Sequence, residues 1–150
     1  TDHYVGAPRV IVVATDFTAA SNRAACAAVE LLGSSGTLYL VHVDPTPNTI
    51  ATADEVRAAD AVSFRFRRLI YTLRVGGRLT VEPVVLTGQT VKVINDFAAR
   101  VGADMIAAGL RNQSGIERLF LGSVSTGLAR DSHRPVLVVP PAGGLAVGKN

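Results

Sequence analysis

The chain is poor in sulfur and in aromatic rings. Its 150 residues include one cysteine, one methionine, no tryptophan and only 5 % aromatic residues. With Cys26 alone, no internal disulfide can form, which suits a reducing compartment. No apolar run reaches the roughly 18–20 residues that a membrane span needs. The opening, Thr1-Asp2-His3-Tyr4, lacks the basic-then-apolar order of a secretory leader. A cytoplasmic protein with no membrane partner is the expectation. The histidines are His3, His42 and His133, and none has metal-ligand spacing to another His, Cys, Asp or Glu, so no structural metal is expected. His42, inside a strand, reads as packed or hydrogen-bonded. No nucleophile–base set and no paired carboxylates in one loop are present, and no catalytic residue is assigned.

Charge is also sparse. Charged residues make up 18 % of the chain and the net charge is +3. The basic excess forms no Lys/Arg cluster interleaved with aromatics, so nucleic acid is not an expected partner. The one local concentration is Arg57, Arg65, Arg67, Arg68, Arg74 and Arg78 against Asp60. The solvated face of a helix is the favoured reading of it, and a docking surface for an acidic partner is the alternative. Hydrophobic residues reach 48 %, which excludes a disordered chain. The length fits one domain, with a core from about 9 to 140 and a glycine-rich, mobile tail over 141–150.

Apolar runs alternate with helical periodicity. Arg9 to Ala14, Thr37 to Val43, Leu79 to Leu86, Ala103 to Gly109 and Pro135 to Pro140 read as five strands. Their continuous apolar character suits strands covered on both faces. Pro83 places the third at or near an edge. Thr18 is placed to cap a first helix whose inner face carries Ala24, Ala25, Ala28, Val29 and Leu32, with Gly33 as C-cap. Cys26 on that helix is expected to be buried and inert. A second helix runs from Ala53 to Arg74, with Val62, Phe66, Leu69, Ile70 and Leu73 inward. A third begins at Gln89 or Thr90 and ends at Gly102, and a fourth spans Leu119 to Leu128. The alternation predicts an α/β fold, an open five-stranded parallel sheet with helices on both faces; if the first and fourth strands are neighbours, its order is 3-2-1-4-5.

In such sheets ligands bind beyond the carboxyl ends of the strands, where the strand order reverses. Two segments would meet there. Thr15-Asp16-Phe17-Thr18 follows the first strand; Asp16 either caps the helix or accepts from an amino group or ribose hydroxyls, and both can coexist. Gly109 to Ser125 follows the fourth, with small residues and hydroxyls leading into a helix start, as a phosphate site needs. It is no P-loop, because the Gly-Lys-Ser/Thr ending is missing.

Ala14-Thr15-Asp16-Phe17-Thr18, Val41-His42-Val43-Asp44, Gly102-Ala103-Asp104-Met105-Ile106, Leu121-Gly122-Ser123-Val124-Ser125 and Arg134-Pro135-Val136-Leu137-Val138-Val139-Pro140 together resemble the universal stress protein family. The resemblance covers roughly Arg9 to Pro140. Nucleotide-binding members carry Gly-x-x-Gly, nine residues, then Gly-Ser/Thr; here Gly109 and Gly122-Ser123 keep that spacing and Asn112 replaces the second glycine. The resemblance implies a stress-response regulator that binds an adenine nucleotide, ATP first and AMP or cyclic AMP as alternatives, with Mg2+ or Mn2+ only alongside it. It implies Asp16 and Val43 at the adenine, Gly109 near the ribose, and Gly122, Ser123 and Ser125 at the phosphates. Ala14, Thr15, Arg111, Asn112, Gly115 and Val124 complete the candidate set. It also implies a homodimer in which the fifth strands, Val136, Leu137, Val138 and Val139, pair and cover an open edge. Asparagine tolerates the left-handed conformation, yet Asn112 adds bulk where the backbone should approach phosphate. Two alternatives stay open: a nucleotide-free dimeric interaction module of the same fold, and a slow ATPase.

Overall fold

The computed structural model describes residues 7–44, 53–112, 119–120 and 123–140. In chain order the strands are β1 (Val10–Ala14), β2 (Ser35–Asp44), β3 (Arg78–Thr87), β4 (Met105–Gly109), β5 (Arg111–Asn112), β6 (Leu119–Phe120) and β7 (Val136–Val139). The helices are α1 (Ala19–Leu32), α2 (Ala53–Leu73), α3 (Thr90–Val101) and α4 (Ser123–Asp131). The main sheet has the order β3-β2-β1-β4-β7, and every pairing in it is parallel. With β7 as the fifth long strand, this is the expected 3-2-1-4-5 arrangement. The structure starts the last helix later than the sequence suggests. Leu119 and Phe120 pair antiparallel with Asn112 and Arg111, and α4 begins only at Ser123. The apolar pair before Gly122 mimics a first helical turn, but a tertiary pairing takes it as strand.

Two faces follow from the period of a strand. Ile11, Val13, Leu38, Leu40 and Ala107 point to one side, where Ala24, Ala25, Ala28 and Leu32 of α1 and Phe66, Leu69 and Leu73 of α2 cover them. Val12, Val41, Ile106 and Ala108 point to the other, against Ile94, Phe97 and Ala98 of α3 and Leu128 of α4. Each fully buried Ile or Leu stabilises by roughly 1.5–3 kcal/mol. The central strand β1 therefore has Ile11, Val12 and Val13 all inaccessible.

The caps act as the sequence suggests. Thr18 accepts from the Ser21 N–H at 3.4 Å, and the Gln89 side chain accepts from the Lys92 N–H at 2.7 Å. Gly102 is left-handed at φ 66°, and its N–H reaches back to Ala98 and Ala99 carbonyls. β3 lies at a sheet edge, where Pro83 is tolerated. Cys26 is exposed rather than buried. It falls beside Ala25 on the helix but turns about 100° away from the sheet, which the Ala24–Ala25–Ala28 stripe already fills. On α4, the hydrogen bond from Arg130 holds the Asp131 carboxyl below the usual range. The tail, 141–150, lies outside the described residues.

Candidate functional site

At the carboxyl end of the sheet, β1 runs into α1 and β4 leaves on the opposite side. A turn is built there from side-chain oxygens. The Phe17 N–H donates to Thr15 Oγ1 at 3.0 Å and the Thr18 N–H to Asp16 Oδ1 at 3.1 Å. The Thr18 hydroxyl donates to the same carboxylate oxygen, and Ser21 Oγ donates to it at 3.0 Å. Asp16 thus closes a side-chain turn just ahead of the Thr18 cap and holds the capping hydroxyl in place. From β2, the Nδ1–H of His42 donates to the Thr15 carbonyl at 3.0 Å.

This turn borders a cavity of about 280 Å³, near the small end of ligand pockets. Its wall is half apolar: Ala14, Val41, Val43, Ile94, Ala108 and Val124. The polar remainder comes from Thr15, Asp16, Ser21, His42, Thr90, Gly109 and Ser125. The loops after β1 and β4 therefore open onto one space, as the strand reversal between them requires. Ser125 is buried and its Oγ donates to the Gly109 carbonyl at 3.3 Å. That bond ties α4 to the end of β4. Gly109 has a reason of its own to lack a side chain: a Cβ there would lie 2.1 Å from the Ala20 carbonyl oxygen of α1.

Of the candidate residues, Ala14, Thr15, Asp16, Val43, Gly109, Val124 and Ser125 line the cavity. Arg111 and Asn112 form β5, and Ser123 is the first residue of α4; their side chains lie outside those described. Gly115 and Gly122 lie outside the described residues altogether. Sequence reasoning missed Ser21, Val41, His42, Thr90, Ile94 and Ala108. Ser21 sits one turn beyond the Thr18 cap, and Thr90 opens α3 at the same sheet end, so position after a strand was the available signal. Ile94 gave none beyond its place on the inner face of α3. Among the described residues the lining holds no lysine or arginine, and no cluster of three metal-binding side chains exists. No helix there is long and apolar enough to cross a membrane.

Fold and cavity together define a doubly wound α/β protein with a crevice at its switch point. A model of the universal stress protein family matches residues 8–140, and the chain belongs to that family. It is 42 % identical over 55 residues to the stress response protein NhaX of Bacillus subtilis, a segment covering 37 % of this chain and 33 % of that one. The match thus spans about a third of the relative's length. Among solved structures, a universal stress protein in complex with cAMP superposes with a TM-score of 0.69 at 25 % identity, over 90 % of this chain and 98 % of that one. The universal stress protein from Archaeoglobus fulgidus in complex with dAMP gives 0.60 at 24 % identity, over 87 % and 96 %, a likeness of fold.

Proposed function

We propose that the switch-point cavity binds an adenine nucleotide, ATP foremost, and that the protein acts as a stress-response regulator through nucleotide-dependent shape or assembly. The observation that carries this is the shared space between the two loops, with Asp16 on one side and Val124 and Ser125 on the other. Family membership and the cAMP held by a similar structure supply the ligand class. Val43 and Asp16 form the end suited to a base: an apolar wall beside a carboxylate that can accept from an amino group. The phosphates would meet the free N–H groups at the start of α4 near Ser123. A divalent cation would then be held by the phosphates, since the described residues offer no ligand cluster. No catalytic group is assigned. Pairing of two β7 edges would make the homodimer, and the cytoplasm is the expected compartment.

A nucleotide-free module is the second reading. It is favoured by Asn112 at the glycine position, by Asp16 already accepting from Thr18 and Ser21 and by Ser125 already donating to Gly109. Calorimetric titration with ATP, AMP and cyclic AMP separates the two. Saturable binding in the low-millimolar range or tighter supports the nucleotide site, and none by any of the three supports the module. Asn112→Gly should tighten ATP more than adenosine if the side chain obstructs the phosphates. Equal effects would move position 112 away from them.

A further inference from the structure

A second concavity lies on the other side of the Asp16–Thr18 turn. It is a groove of about 520 Å³ between α1 and α2, with Thr18 and Asn22 on one wall and Arg65, Arg68 and Thr72 on the other over a floor at Leu69. No carboxylate among the described residues pairs with Arg65 or Arg68. Asp16, at the groove's end, directs Oδ1 to Thr18 and Ser21. The exposed face of α2 continues the same chemistry with Arg67 and with two large rings, Phe64 at 56 % and Tyr71 at 81 % exposure. Phe64, Arg67, Arg68 and Tyr71 are spaced three and four apart and so share a face. Exposed aromatics set among arginines are the composition of protein-binding hot spots.

We propose that this groove and the adjoining face of α2 dock an acidic segment of another protein. Two guanidinium groups one turn apart are suited to carboxylates, each able to take one bidentately. From Asp60 to Leu73 the helix offers about 20 Å of track, enough for several turns of a partner helix. Two features disfavour other anionic occupants. The carboxamide oxygen of Asn22, a residue of the groove wall, is buried without a donor, a lack that a peptide N–H could meet and a phosphodiester, which has none to give, could not. The groove is also concave, so a flat headgroup layer would leave it unfilled.

Fluorescence anisotropy tests this with a labelled helical peptide of about fourteen residues, the length of the track, bearing glutamate at every third or fourth position. Saturable binding is expected, and replacing its glutamates by glutamine should abolish it. The double variant Arg65→Gln/Arg68→Gln should weaken the peptide about tenfold or more, as loss of charged hydrogen bonds implies. Arg65→Lys/Arg68→Lys keeps the charge without the fork and should fall between wild type and the glutamine pair. Lys92→Gln/Arg130→Gln removes equal charge from α3 and α4 and should change affinity less than about twofold. Circular dichroism confirms folding of each variant, all altered at exposed positions. The proposal is overturned by absence of saturable peptide binding, by equal binding of the glutamine peptide, or by an equal loss in the α3/α4 control. It is likewise overturned if a single-stranded oligonucleotide of matched charge, or a phosphatidylserine vesicle, binds more tightly with the same arginine dependence.

Discussion

Adding one methyl group at Gly109 tests how the cavity is built. The new Cβ would stand 2.1 Å from the Ala20 oxygen, 2.3 Å from the Ala20 carbonyl carbon and 2.9 Å from the Ser21 nitrogen. An ordinary contact to that oxygen is about 3.4 Å, so the first turn of α1 and the end of β4 must part by about 1.3 Å. These are backbone atoms, and no rotamer change relieves them. Parting them pulls α1 away from Ala107, which packs with Ala24, Ala25 and Ala28. Overpacking of a filled interior costs roughly 1–3 kcal/mol, and a rigid obstruction belongs at the upper end, so about 3 kcal/mol is expected. At this length each kcal/mol is worth roughly 2–4 °C, which places the loss in Tm near 6–12 °C. Two other glycines calibrate the measurement. Gly102→Ala meets nothing within 4 Å but must hold φ +66°, so it should cost about 1 kcal/mol. Gly76→Ala meets nothing and carries no left-handed φ, so it should fall within about 0.5 kcal/mol of wild type. Urea and thermal melts of the three variants give the order directly. If Gly109→Ala is no worse than Gly102→Ala, α1 does not sit on β4 as closely as described, and the wall of the cavity is misplaced with it.

Other variants probe neighbouring parts of the same architecture. Ile94→Ala and Leu128→Ala each empty a fully buried site and should each lose about 2–5 kcal/mol in urea melts. Only Ile94 lines the cavity, so only its variant should also change the calorimetric affinity for a nucleotide; a matching change in Leu128→Ala would refute the assignment. Cys26 should react fully with an aromatic disulfide reagent in the native state, and reaction only after denaturation would contradict its exposure. The Ile106 and Leu110 N–H groups donate to the Pro135 and Val139 carbonyls, so Val136 and Val138 turn their polar backbone groups toward the open edge. If two such edges pair as proposed, wild type should sediment as a dimer and Val138→Pro as a monomer with the β4 ladder spared; a monomeric wild type, or a dimer that persists in the variant, would refute that pairing.

The sheet was readable because parallel strands buried on both faces appear as unbroken apolar runs. Val10–Ala14 and Met105–Gly109 are such runs, and Pro83 marked an edge. The switch point followed from the strand order, since Asp16 lies just past β1 and the segment from Gly109 to Ser125 follows β4. What escaped the sequence is three-dimensional. Leu119 and Phe120 are apolar enough to extend α4 backwards, and only their pairing with β5 makes them strand. Cys26 lies next to Ala25, and a single step around α1 separates buried from exposed. Gly109 stood in a motif that suggested a ligand, whereas its nearest constraint is the α1 backbone. Ser21 and Thr90 enter the cavity from helix starts, positions that capping alone explains equally well.

The Thr15–Thr18 turn shows why capping and ligand contact need not compete. Phe17 holds φ 64°, a left-handed conformation that costs a non-glycine residue about 1–2 kcal/mol. The surroundings hold it there from several directions. Its ring lies 5.0 Å from His42 and 5.0 Å edge-on from Phe66, with the Arg65 guanidinium 5.9 Å from its centroid, while its N–H is fixed by Thr15. His42 in turn anchors the Thr15 carbonyl, and Asp16 binds Thr18 and Ser21. The strain at Phe17 and the bonds at Asp16 are met in folding, before any ligand arrives. A ligand that uses this turn then has little to order, and the capping network that looks like an alternative to binding is what makes binding inexpensive.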